Sequence, residues 1–206
     1  MILESLPSGP LEVNCYIVGC ENTRKAVVID PGGNVEAILR IVKKHELDVV
    51  MIINTHGHFD HIGGNKQLQE ATGAELLAHR ADRSVMAQAR EHAAIFGLSA
   101  NPSPAPTREL VGRETLQVGD LRLRVMHTPG HSAGGICLYV EDCLFSGDTL
   151  FAGSVGRTDL PEGDYYQLIS SIKEQLLGLP DATKVYPGHG PATTIGNEKQ
   201  HNPFLV

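Results

Sequence analysis

The sequence predicts a mixed α/β fold with two β-sheets and helices on their outer faces. Three observations carry this. Short β-branched or alternating runs recur along the chain, and amphipathic helical stretches are interleaved with them. Hairpin signals then interrupt the middle of the chain, leaving too few regular βαβ units for a simple doubly wound sheet.

Taken in order, Ile2–Leu6, Cys15–Val18, Ala26–Ile29 and Val49–Ile53 read as strands. The run Ala26-Val27-Val28-Ile29 is continuously apolar, as expected of a strand covered on both faces. It stops at Asp30-Pro31-Gly32-Gly33, a strong breaker. From Val35 to His45, residues Val35, Ile38, Leu39, Ile41 and Val42 fall on one helical stripe. Further helices are expected over Asn65–Thr72, stopped by Gly73, and over Ala81–Phe96. Gly97–Pro106, with three prolines, reads as a surface loop, because strand-like chain resumes on both sides. Two hairpins follow: Thr115–Val118 with Leu121–Met126 around Gly119-Asp120, and Ile136–Val140 with Cys143–Phe145 around Glu141-Asp142. A helix over Asp164–Leu177 opens with Asp164 and Gln167 at N-cap and N3 spacing. A last strand, Lys184–Tyr186, leads into Pro187-Gly188-His189-Gly190.

Residues 1–206 are expected to form one domain, large enough to bury a core without disulfide staples. Cys15, Cys20, Cys137 and Cys143 show no C-x-x-C spacing and read as free thiols. The net charge of -7, with no basic run, argues against a nucleic-acid partner. No apolar stretch approaches the roughly 18 residues of a membrane span. The start, Met1-Ile2-Leu3-Glu4, lacks the basic and apolar regions of a secretory signal. The expectation is a cytoplasmic protein without a membrane partner, as a monomer or homodimer.

Chemistry concentrates in Asn54-Thr55-His56-Gly57-His58-Phe59-Asp60-His61, directly after the strand Val49–Ile53. Four potential ligands within six residues are too dense for a regular helix, so a loop leaving a strand end is the expected support. A histidine-rich surface loop would look similar, but three further ligand-type residues recur where strands end: His131, Asp148 and His189. Imidazole and carboxylate suit zinc, iron or manganese without any thiolate. Ser132 lies outside the G-x-S-x-G elbow that would expose a nucleophile.

This set resembles the metallo-β-lactamase superfamily, whose T-H-x-H-x-D-H signature matches Thr55–His61. The likeness also takes in Asn14-Cys15-Tyr16 and Val28-Ile29-Asp30-Pro31-Gly32. It implies a four-layer αββα sandwich with metals at one edge. By that analogy His56, His58 and His131 hold one divalent ion, Asp60, His61 and His189 a second, and Asp148 bridges, with zinc the leading metal. Gly156-Arg157-Thr158-Asp159 and His201-Asn202-Pro203-Phe204-Leu205 resemble the short glyoxalase II-type hydrolases. The implied activity is hydrolysis of a small thioester such as S-lactoylglutathione by a metal-bridging hydroxide, with Asp60 as a catalytic proton acceptor. Larger glyoxalase II enzymes carry a further helical region with glutathione-binding basic residues, which no part of this sequence resembles. His58 argues against the flavodiiron branch, which usually has Glu there, and Asp148 against true β-lactamases, many of which use Cys. Two alternatives stand beside the hydrolase: a persulfide dioxygenase holding one iron with His56, His131 and Asp148, and a non-catalytic metal-binding protein.

Around these ligands, Asp30 is either a hydrogen-bond acceptor for the signature loop or a turn residue. Arg157 either binds an anionic substrate group or pairs with Asp159. Tyr165 and Tyr166 are expected to pack. His45, His79, His92, His127 and His201 match no ligand position, although His127 could support the His131 loop from behind.

Overall fold

The computed structural model describes residues 1–206 as two six-stranded sheets packed face to face. The first sheet runs in chain order through β1 (Ile2–Ser8), β2 (Val13–Gly19), β3 (Lys25–Ile29), β4 (Asp48–Ile53), β5 (Glu75–His79) and β6 (Arg108–Leu110). The second is built from β7 (Thr115–Val118), β8 (Leu121–His127), β9 (Ile136–Val140), β10 (Cys143–Gly147), β13 (Lys184–Pro187) and β14 (Thr193–Thr194), in the order β14-β13-β10-β9-β8-β7. Between β10 and β13 lies a small hairpin of β11 (Leu150–Phe151) and β12 (Ser154–Val155).

The layers follow from alternation of side chains along each strand. In β3, Val27 and Ile29 enter the core between the sheets, while Ala26 and Val28 face the other way. That second face is covered by α1 (Val35–Lys44) and α3 (Asn65–Thr72), through Val35, Ile38 and Leu68. The second sheet turns Leu123, Val125, Leu138 and Phe145 inward. Its outer face, with Met126, Cys137, Leu144 and Val185, packs on α6 (Tyr165–Ser171) and α7 (Ile195–His201). The result is the αββα sandwich.

Tyr16 ties the two sheets together. Its ring lies 5.0 Å from Phe145 and 5.7 Å from Tyr186, and its hydroxyl donates to the Pro187 carbonyl at 2.7 Å.

Several expectations are refined. The stretch from Ala81 to Phe96 is a 3₁₀ turn followed by α4 (Arg83–Ala87) and α5 (Ala89–Ile95), not one helix. The helix after Asp164 begins as expected, with the Gln167 amide donating to the Asp164 carboxylate at 2.9 Å, then widens into a π segment at Ile172–Leu176. Strands β5 and β6 and helix α7 were not foreseen. The signature segment does contain helix, since α2 (Phe59–Ile62) is a single turn that carries Asp60 and His61. Tyr166 is 85% exposed and Tyr165 43%, so neither packs as expected. All four cysteines are free, and no helix is long and apolar enough to cross a membrane.

Replacing Tyr16 by Phe leaves the ring packing intact and strands a buried carbonyl with one donor fewer. The expected cost is about 1–2 kcal/mol of stability, read from the denaturant midpoint at unchanged m-value.

Candidate metal centre

The strand directions explain why distant ligands meet. Strands β3, β4 and β5 are parallel, and their carboxyl ends release Asp30, the His56–His61 segment and the turn bearing Asp82. In the other sheet β9 is antiparallel to both β8 and β10, and β10 is parallel to β13. Strands β8, β10 and β13 therefore point the same way and end just before His131, Asp148 and His189. Open α/β sheets gather ligands at this edge.

All seven candidate ligands come together there, in overlapping groups: His56 with His58 and His131, His56 with His61 and Asp148, and Asp60 with His61 and His189. His131 Nε2 lies 2.9 Å from His58 Nδ1, and His189 Nε2 lies 3.2 Å from Asp60 Oδ2. Asp148 sits between the groups. Its Oδ1 is 3.5 Å from His61 Nε2, and its Oδ2 is 3.7 Å from His131 Nε2 and 3.8 Å from His189 Nε2. His56 Nε2, His61 Nε2 and Asp148 Oδ1 are buried and have no hydrogen-bond partner. Buried polar atoms are rarely left so, and three of them converging on one point fit a divalent cation.

The far edge of three of the rings is held. His61 Nδ1 donates to Asp30 Oδ2 at 3.0 Å, and His131 Nδ1 donates to the Arg157 carbonyl at 2.8 Å. His56 Nδ1 lies 3.1 Å from Thr55 Oγ1, which donates to Asp30 Oδ2 at 2.6 Å. Fixing Nδ1 in this way aims Nε2 at the centre. Asp30 is thus an acceptor for the signature loop, and the residue before α1 is Asn34, whose side chain makes no capping bond.

Close approach makes glycine necessary at two of the loops. A Cβ at Gly188 would stand 2.8 Å from His61 Cε1 and clash with Asp148. Gly147, at φ +49°, leaves room for the Thr55 side chain.

Sequence reasoning missed Asp82. Fully buried, it accepts from the Gly57 amide at 2.7 Å, the Ser132 hydroxyl at 2.8 Å and the Gly134 amide at 2.5 Å, joining the signature loop to the His131 loop. Its only sequence signal is an acidic residue at a helix start. His127 stacks on His79 at 4.1 Å and meets the Ala133 carbonyl with Nε2 at 3.0 Å, so it supports the His131 loop from behind.

The centre opens into a cavity of about 390 Å³, lined in part by Phe96, Phe151, Arg157 and His92. Arg157 makes the bidentate pair with Asp159, both contacts at 2.8 Å, while its guanidinium also borders the cavity.

Charge divides the ligands. Burial, together with facing imidazoles led by His131, holds His58 down to about 3. Burial would also depress His61, but Asp60, Asp148 and Asp30 outweigh it and raise that imidazole to about 10. Burial would raise Asp60, yet His61 and His189 hold its carboxyl well below the usual carboxylate range.

The profile described as the metallo-beta-lactamase superfamily matches residues 8–189. The hydroxyacylglutathione hydrolase GloC of Haemophilus influenzae is 36% identical, covering 100% of this chain and 98% of that protein. Among solved structures, the BLEG-1 B3 metallo-beta-lactamase superposes with a TM-score of 0.93 at 37% identity, covering 100% of both chains. The di-iron-bound form of TTHA1623 gives 0.89 at 40% identity, again with 100% of both. ETHE1 from Myxococcus xanthus gives 0.83 at 33% identity, with 98% of this chain and 84% of that one.

Two outcomes are expected from this geometry. Asp30→Asn keeps the shape but loses the charge that seats His61, and metal affinity should fall about tenfold to a hundredfold, measured by chelator competition on folded protein. The second concerns pH. His61 keeps its proton up to about pH 10, so a metal there must displace it, and that competition weakens as pH rises. Affinity at the Asp60, His61 and His189 group should rise by roughly tenfold per unit between pH 6 and 8. Affinity at the group containing His58, whose ring is already neutral in that window, should rise less steeply.

Proposed function

The chain belongs to the metallo-beta-lactamase superfamily, and from that premise we propose that it is a metal-dependent hydrolase of small thioesters, with S-lactoylglutathione as the first substrate to test. The observation that carries the reading is the convergence of the unpartnered His56 Nε2, His61 Nε2 and Asp148 Oδ1 on one point, with Asp148 also lining the cavity. The thioester is supported by likeness, over essentially the whole of both chains, to a protein named as a hydroxyacylglutathione hydrolase.

In this reading His56, His58 and His131 would hold one divalent ion and Asp60, His61 and His189 another, with Asp148 placed between the two groups. Zinc is the proposed metal, and iron or manganese would accept the same donors. Ions in such a site lower the pKa of a coordinated water to about 7 and polarise a carbonyl oxygen.

The chain's own groups then position and move protons. Thr55, Asp30 and the Arg157 carbonyl keep His56, His61 and His131 in one orientation, so the donor set is organised before substrate arrives. Asp60 Oδ2 faces the cavity beside His189 and takes the proton released in hydrolysis. Because His61 and His189 keep that carboxylate weakly basic, it passes the proton on to the departing thiolate of the substrate instead of retaining it. Arg157 can engage a substrate carboxylate only by sharing its guanidinium with Asp159.

The rival reading, a persulfide dioxygenase with one iron on His56, His131 and Asp148, leaves His61 without a role. Yet His61 is fully buried, seated on Asp30, and has its Nε2 free of any partner. That favours the binuclear site.

Elemental analysis and a thioester assay on one preparation test the proposal. About two metal ions per chain, with S-lactoylglutathione hydrolysis abolished by chelator, are expected. One iron per chain, no hydrolysis, and oxygen uptake with glutathione persulfide would overturn it.

A further inference from the structure

Three of the exposed large apolar side chains meet at the mouth of the metal-centre cavity. Leu11 is 41% exposed, Ile95 72% and Phe96 43%, and all three line it. Phe59, Phe151 and Leu160 continue the apolar lining. Exposed apolar surface contiguous with a reactive centre marks a ligand-binding wall, and a cavity of about 390 Å³ lies at the small end of the range for small-molecule sites.

The charged complement is meagre. No lysine lines the cavity, and Arg157 is its one guanidinium. That guanidinium is engaged through Nε and NH2 by Asp159, and its carbon lies 5.9 Å from the Phe96 ring centroid. A substrate carrying several carboxylates would therefore find one cation outside the ligand cluster, and would have to compete with an aspartate for it. An uncharged apolar group meets no such competition and removes Ile95, Phe96 and Leu11 from water as it enters.

Building on the thioester hydrolase reading, we propose that the cavity selects thioesters whose acyl group is an apolar chain or ring, seated against Ile95, Phe96 and Phe151. The metal centre acts on the thioester bond, and the walls choose the group attached to it. Hydroxyacyl groups as small and polar as lactoyl leave that wall wet.

The test uses the metal-loaded full chain and N-acetylcysteamine thioesters of acetate, butanoate and hexanoate beside S-lactoylglutathione. The value of kcat/KM is expected to rise up to about fourfold for each added methylene, the increment that burial of one CH₂ provides. Ile95→Ser combined with Phe96→Ala, both at exposed positions, is expected to flatten that rise, lowering kcat/KM for the hexanoyl thioester more than for the acetyl one. In parallel, calorimetry with the non-hydrolysable S-hexyl and S-methyl thioethers of N-acetylcysteamine reads binding alone. Tighter binding of the hexyl compound with a negative heat-capacity change supports the wall even if no thioester is cleaved, an outcome that would sink only the hydrolase reading. Hydrolysis of all the thioesters with no dependence on acyl length, and equal binding of the two thioethers, would overturn this inference and leave the hydrolase reading standing.

Discussion

The centre depends on one buried carboxylate. Asp30 leaves the end of β3 in the left-handed region at φ +51°, 1% exposed, and accepts from the Thr55 amide at 2.7 Å, the Thr55 hydroxyl at 2.6 Å and His61 Nδ1 at 3.0 Å. Aspartate tolerates that conformation better than most residues, and the neighbouring Pro31-Gly32 lets the chain turn away at once. Gly32 is needed beside it, because a side chain there would run into the Asp60 backbone carbonyl. A single charge thereby sets the rings of both His56 and His61, one through Thr55 and one directly. An uncompensated buried charge costs several kcal/mol, so these three donors are a condition of the fold as much as of the site.

Two further buried acids repeat the device at the edges. Asp82 ties the signature loop to the His131 loop, although burial pushes its carboxyl up despite three donors. Glu198, also fully buried, accepts from Thr193 Oγ1 at 2.6 Å, the Gly153 amide at 2.9 Å and Asn202 Nδ2 at 2.8 Å. Asn202 also donates to the Ser154 carbonyl at 3.0 Å. The C-terminal helix therefore pins the β11–β12 hairpin, which supplies Phe151 to the cavity and runs on to the Arg157 carbonyl that orients His131. Loops carry the ligands, and carboxylates with no ligand role hold the loops.

What the sequence made legible follows from how local each signal is. The seven ligands could be read because each sits in a Gly- or Pro-marked turn directly after an apolar run, a pattern complete within a few residues. The helix Asn65–Thr72 was bounded correctly for the same reason, with Gly73 at its left-handed end. Strand β5 was missed because Leu76-Leu77-Ala78 is short and carries no alternation, and β6 is only three residues long. The continuous helix expected over Ala81–Phe96 breaks where the chain turns at Gln88, since Val85 and Met86 pack inward and Ala89 and Ala93 must do so from a second axis. Asp82 was invisible because its partners lie far along the chain, and Glu198 because the Gly153 amide that links it to the β11–β12 hairpin is 45 residues away. The partition of Asp30 between turn residue and hydrogen-bond acceptor likewise required knowing that β3 and β4 are neighbours.

The division of ligands between the sheets has a consequence for the whole sandwich. The first sheet contributes His56, His58, Asp60 and His61 from one strand end, and the second contributes His131, Asp148 and His189 from three. Each group of three that the structure brings together includes at least one residue from each sheet. These groups hold opposing tendencies: burial and facing imidazoles press His56 and His58 toward neutrality, while Asp60 and Asp148 draw His61 and His189 toward charge. Tyr16 and Asn14 offset this from the first sheet by gripping the Pro187 carbonyl at 2.7 and 3.0 Å, and Asn14 also reaches the Gly190 carbonyl at 2.9 Å. The His189 loop is thus held by hydrogen bonds that do not depend on any ligand. The two sheets are registered at this edge by hydrogen bonds between protein groups alone, the kind of preorganisation that lowers the ordering cost of binding.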